Sequence, residues 1–139
     1  MRRRTDIKKY WFFDCACPRC SDPTELGTFM SAIRCNACRA GYLLPENSLD
    51  PRFTQIVICI AWPNRILQDF SSSRSDWSCC YCDTVVSFGA IDDVMSTLER
   101  QIGDVSESGK HGIAELEELL FHYSDLLHPN HYILASALT

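Results

Sequence analysis

At 139 residues, with 22% charged and 46% hydrophobic side chains, the chain is about one ordinary domain long, and this balance excludes a disordered or membrane-embedded polymer. The net charge of −5 is uneven: residues 1–20 hold six Lys/Arg against two Asp, whereas residues 91–139 hold nine Asp/Glu against two Lys/Arg. The longest strongly apolar run, IVICIAW at 56–62, falls well short of the ~20 residues that cross a bilayer. No apolar stretch follows the charges of the N-terminal MRRRTDIKK, so no secretory signal is read there. The expectation is an intracellular chain, cytoplasmic or nuclear, whose thiols stay reduced. The three adjacent arginines read as a solvated or packed segment. Binding of nucleic acid by this arm is not expected, since no interleaved basic and aromatic surface supports it.

In chain order, the basic and aromatic KKYWFFD leads into CACPRC at 15–20, three thiols in six positions. Disulfides need pairs and a closed structural zinc site needs four ligands, so Cys15, Cys17 and Cys20 lack a partner of their own. SDPTELGT at 21–28 has the grammar of a helix start: Asp22 as cap, Pro23 at the first helical position, Glu25 closing a capping box and Gly27 stopping the helix after one turn. TFMSAIRC at 28–35 suits a short strand, and GYLLPENSLDP at 41–51 a second strand followed by turn residues.

Two Cys-x-x-Cys pairs, CNAC at 35–38 and CCYC at 79–82, each point two thiolates at one ion, and together Cys35, Cys38, Cys79 and Cys82 complete a tetrahedral zinc site. A disulfide framework is the alternative, opposed by the odd total of nine cysteines and the absence of a secretory signal. Asn36 and Gly41 suit positive φ and amides turned toward sulfur, and Arg34 and Arg39 offset the charge of a tetrathiolate. Cys80 is either a spare thiol or a replacement for Cys79. Cys59, in a β-branched run, reads as buried.

Beyond the second pair, AIDDVMSTLERQI at 90–102 places Ile91, Val94, Met95, Leu98 and Ile102 on one face of an amphipathic helix. A polar linker is expected at 103–112. A second helix at 113–127 turns Ile113, Leu116, Leu120, Tyr123 and Leu127 inward, and a third begins with Pro129 near its first turn and has no stop signal. His128 and His131, flanking Pro129, read as capping or surface residues rather than metal ligands.

KKYWFFDCACPRCSDPTELGT, CNACRAGYLLPENSLD, WSCCYC and LHPNHYILAS together resemble the C-terminal part of SET-and-MYND-type protein-lysine methyltransferases, in particular their arthropod branch. The resemblance covers nearly the whole chain except residues 52–75, and the SET core and MYND finger would lie upstream. It implies that Cys15, Cys17 and Cys20 form a post-SET zinc element whose fourth cysteine comes from the SET core. It also implies that Phe13 stacks on the adenine of S-adenosylmethionine. Trp11 stands where the family has a tyrosine lining the lysine channel; its ring can hold a methylammonium, but the hydroxyl is lost. For the chain by itself, the expected role of the YWFF run is core packing beside a zinc site.

Removing residues 52–75 would leave 16 of the 40 residues that separate Cys38 from Cys79, an ordinary zinc-ribbon spacing. That stretch reads either as a retained intron or as a genuine loop. The expected architecture is a small zinc-stabilised α+β chain. A cysteine-rich, post-SET and zinc-ribbon-like region spans 1–89, and a truncated helical, tetratricopeptide-like segment spans 90–139. Two functions follow: a zinc-binding fragment of a SET-domain lysine methyltransferase that uses S-adenosylmethionine in an intact parent, or a non-catalytic zinc-binding interaction module. The expected partners are a histone or other lysine-bearing protein, by resemblance, and a second copy of the chain through exposed helices. No membrane partner is expected, nor catalysis by the chain alone.

Overall fold

The computed structural model describes residues 2–50, 76–107 and 112–137. Its elements are α1 (Arg2–Trp11), α2 (Pro18–Ser21), β1 (Ile33–Arg34), β2 (Tyr42–Pro45), β3 (Trp77–Cys79), β4 (Val85–Val86), α3 (Phe88–Glu107), α4 (Gly112–Ser124) and α5 (Tyr132–Ala137). The four strands form one antiparallel sheet in the order β1-β2-β3-β4. Pairing of Ile33 with Leu43, and of Leu43 with Cys79, aligns apolar residues of three strands in register. Because a strand turns alternate side chains to opposite faces, these stack on one side. There they join Trp77, Ile91, Leu98, Leu127 and Ile133 in one hydrophobic core shared by sheet and helices.

The helical part is tied to the sheet by backbone as well as side chains. Residues 126–132 run alongside residues 30–34: Arg34 N donates to Leu126 O at 2.7 Å, His128 N to Ala32 O at 3.1 Å and Tyr132 N to Met30 O at 2.9 Å. An antiparallel bridge pairs Ile33 with Leu127, whose side chain is fully buried. Helices α3 and α4 pack on one another, and the Tyr123 hydroxyl donates to Gln101 Oε1 across them at 2.7 Å. No described helix is long and apolar enough to cross a membrane.

Several elements differ from the sequence expectation. Residues 23–28 form turns rather than a helix. Asp22 does cap, its carboxylate accepting Thr24 N at 2.8 Å and Leu26 N at 3.0 Å, but Glu25 and Leu26 take left-handed φ values of 54° and 63° that a helix cannot propagate. Glu25 does not close a capping box; its carboxylate accepts from Ser31 Oγ. The strand expected over 28–35 shrinks to Ile33–Arg34. Helix α3 continues through Glu107 into the expected linker, and Val94 is more exposed than its apolar stripe implied.

Helix α4 stops at Ser124. Pro129 disfavours helical geometry at His128, and Leu127 leaves the helix to pair with β1. Ile113, expected inward, is 66% exposed, while Leu119 and Tyr123 supply the packed face. Pro129 precedes α5 rather than lying in its first turn. The cap there is His131, whose Nδ1 accepts Ile133 N at 3.3 Å. His131 is fully buried rather than superficial, and desolvation holds its pKa down at about 3. His128 is half-buried, its ring stacked on Phe29 and edge-on to Tyr42. Cys59 and the 52–75 stretch lie outside the described residues.

Candidate metal centres

Antiparallel pairing places the two Cys-x-x-Cys turns together. The turn between β1 and β2 holds Cys35 and Cys38, while Cys79 ends β3 and Cys82 lies in the turn that follows it. Since β2 pairs antiparallel with β3, the start of β2 lies beside the end of β3, and both turns project from the same end of the sheet. The four sulfurs lie within 4.8 Å of one another. Cys35 Sγ is 3.8 Å from Cys82 Sγ, and Cys38 Sγ is 3.7 Å from Cys79 Sγ. A tetrahedral zinc ion with Zn–S bonds of about 2.3 Å sets its sulfurs about 3.8 Å apart, so the cluster fits that ion closely.

Backbone amides point at these sulfurs. Gly41 N donates to Cys38 Sγ and Tyr81 N to Cys79 Sγ, each at 3.4 Å. The Cys38 amide is the main influence holding the Cys35 thiol down at about 6, whereas burial pushes Cys79 up to about 11. The positive φ of the first turn belongs to Arg39, at 54°, rather than to Asn36 or Gly41. Gly41 is needed for a different reason: a Cβ there would lie 2.6 Å from Tyr81 Cβ and 2.7 Å from Cys79 Sγ. Arg34 and Arg39 line one cavity with Cys35, and the Arg34 guanidinium lies over the Tyr42 ring at 5.7 Å.

The second cluster is Cys15, Cys17 and Cys20, also within 4.8 Å of one another. Its geometry comes from α2. Pro18 sits in the first turn with its φ pre-set for a helix, Cys17 is the extended residue before it and Cys20 lies one turn on, which folds three nearby thiols onto one point. The Cys20 amide is the main cause that lowers the Cys17 thiol to about 7, while burial raises Cys20 to about 11. No fourth thiol joins them among the described residues. Cys80 stands outside both clusters, exposed, its Sγ accepting Tyr42 N at 3.3 Å, so Cys79 and not Cys80 completes the first one. No disulfide joins the described cysteines.

One neighbour of the triad was not distinguished by sequence reasoning, and another departs from its sequence expectation. Arg4 is buried, and its guanidinium donates to Ser48 O at 2.6 Å, Cys15 O at 3.2 Å, Leu49 O at 3.3 Å and Asp50 O at 3.4 Å. It holds the first cysteine of the triad against the 48–50 turn. Nothing in a run of three arginines marks Arg4 as the buried one, and Arg3 beside it is exposed. The YWFF run does not pack in the core: Tyr10, Trp11, Phe12 and Phe13 are 64%, 74%, 83% and 52% exposed. Phe12 takes a φ of 61°, which ends α1 and leaves these rings on the surface beside the triad. Comparison with protein-family models, with curated proteins and with solved structures gives no match for this chain.

Proposed function

We propose that this chain is a zinc-stabilised module. Cys35, Cys38, Cys79 and Cys82 hold one structural zinc ion that joins two hairpins, and Cys15, Cys17 and Cys20 supply three of the four ligands of a second. The observation that carries this reading is the four-sulfur cluster, with paired separations of 3.7 and 3.8 Å. Ions in closed thiolate sites supply folding energy, because the unfolded chain has no preformed site. Elemental analysis of reduced protein tests it. One zinc per chain should resist mild chelation and a second should leave readily. Cys35→Ser or Cys82→Ser should abolish the firm site and unfold the sheet. A folded, reduced sample without zinc overturns the proposal.

The second reading is that the module is the post-SET part of a protein-lysine methyltransferase that uses S-adenosylmethionine. A three-thiol cluster, one ligand short, directly follows four consecutive exposed aromatics, and this favours it. Both features suit a surface completed by another domain, where Phe13 would face the adenine and Trp11 the lysine. The chain alone should bind no S-adenosylmethionine. Stacking adds about 1 kcal/mol beyond burial, whereas micromolar affinity needs about 8 kcal/mol. Micromolar binding by calorimetry would refute that division of labour. An upstream reading frame lacking a SET core would refute the second reading and leave the first intact.

A further inference from the structure

A groove of about 610 Å³ runs between α3 and α4. Val105, Leu119 and Phe121 line it with apolar surface, and Glu115, Glu118 and Asp125 give it three carboxylates. Phe121 is 83% exposed, and no described cation is paired with those carboxylates. The same chain carries a complementary surface. Helix α1, RRRTDIKKYW, has no acidic residue in its first turn and two lysines in its last, and runs into Phe12 and Phe13. Arg3, Lys9 and all four rings from Tyr10 to Phe13 are exposed. An isolated surface aromatic is ordinary; four in succession beside basic side chains, opposite in charge to an acid-rimmed apolar groove, form a matched pair.

We infer that the α3–α4 groove is the docking site for the basic aromatic arm, Lys9 to Phe13, of a second copy of this chain. The aromatic rings enter against Phe121 and Leu119, and Lys9, the cation of the arm not already held as Lys8 is by Asp14 at 2.6 Å, faces Glu115, Glu118 and Asp125. The two surfaces are different, so the contact is head-to-tail: each copy offers one arm and one groove, and association continues beyond a dimer unless a ring closes. A SET core bound to the aromatic surface would compete for it.

Sedimentation velocity on the full zinc-loaded chain under reducing conditions tests this. The wild type should associate with rising concentration up to about 100 µM, and tenfold more salt should weaken association by about tenfold or more. Phe121→Glu and Phe12→Ser change exposed side chains and should each sediment as monomer. Mixed together they should form a complex limited to 1:1, because one retains only a working arm and the other only a working groove. A wild type that stays monomeric, association that survives Phe121→Glu, or a mixture that forms no complex would each overturn the inference. Zinc content in the same samples should match wild type, which separates failure here from failure of the metal reading.

Discussion

Gly41→Ala tests the metal centre through one methyl group. Gly41 does not occupy the left-handed region, so alanine's backbone preference is no obstacle and the effect is steric. The added Cβ meets Tyr81 Cβ at 2.6 Å, Cys79 Sγ at 2.7 Å and Tyr81 N at 3.1 Å. Carbon contacts settle at about 3.5–4.0 Å, so the second turn must retreat by about 1 Å. Overpacking of this kind costs about 1–3 kcal/mol. A metal site tolerates errors of only about 0.2 Å, so the displacement falls on Cys79 and the strain appears largely as lost zinc affinity. At 1.4 kcal/mol per tenfold, binding should weaken by about 5- to 150-fold. Competition against a chromophoric chelator measures this, and cobalt substitution reports whether tetrahedral thiolate geometry survives. Gly27→Ala is the control. Its Cβ meets nothing within 4 Å, but its φ of 74° makes alanine strained, so it should lose about 1 kcal/mol of stability without altering zinc affinity. Wild-type zinc affinity in Gly41→Ala would refute the reasoning.

Cys80→Ser should leave zinc stoichiometry unchanged by elemental analysis, because Cys80 stands outside both clusters; loss of one zinc would show it to be a ligand. For His131, the folded pKa of about 3 lies below the ordinary 6.5. Its contribution is therefore fully present above about pH 6.5 and is lost as the unfolded state gains a proton below it, by about 1.4 kcal/mol per pH unit. His131→Asn keeps a capping side chain without titrating, so urea unfolding at pH 7 and 5.5 should show a pH dependence shallower than wild type by about that amount. Metal loss in acid is common to both proteins and cancels in the comparison. Arg4→Met should cost about 2–4 kcal/mol in thermal or urea unfolding, since it strands carbonyls at Cys15 and residues 48–50, whereas Arg3→Met should cost under about 0.5 kcal/mol.

The four-cysteine cluster was legible because its requirement is local. Two Cys-x-x-Cys turns each present two sulfurs to one point whatever surrounds them, and any fold that brings the turns together completes the site. The triad was legible as a cluster for the same reason, with Pro18 pre-setting the turn between Cys17 and Cys20. The amphipathic helices also announced themselves, with Ile91 and Leu98 at the spacing that buries them. The α+β character follows from these elements together: short strands around the knuckles and helices after them.

What depended on tertiary structure were contacts between residues far apart in sequence. Apolar spacing continues through Leu127, so periodicity extends α4 beyond its end; backbone pairing with β1 and the proline two residues later decide otherwise. Asp22 and Glu25 fit a capping box, yet left-handed residues make the segment a turn. Arg4 is indistinguishable from its neighbours until the 48–50 carbonyls converge on it, and Gly41 resembles a flexible turn glycine until Tyr81 and Cys79 close against it. Sequence by itself determined which residues can bind metal and which stretches can be helical, because those depend on residue type and near spacing. Tertiary structure decided where the helices stop, which arginine is buried and which aromatics stay exposed, because each depends on the free energy of contacts that chain connectivity leaves open.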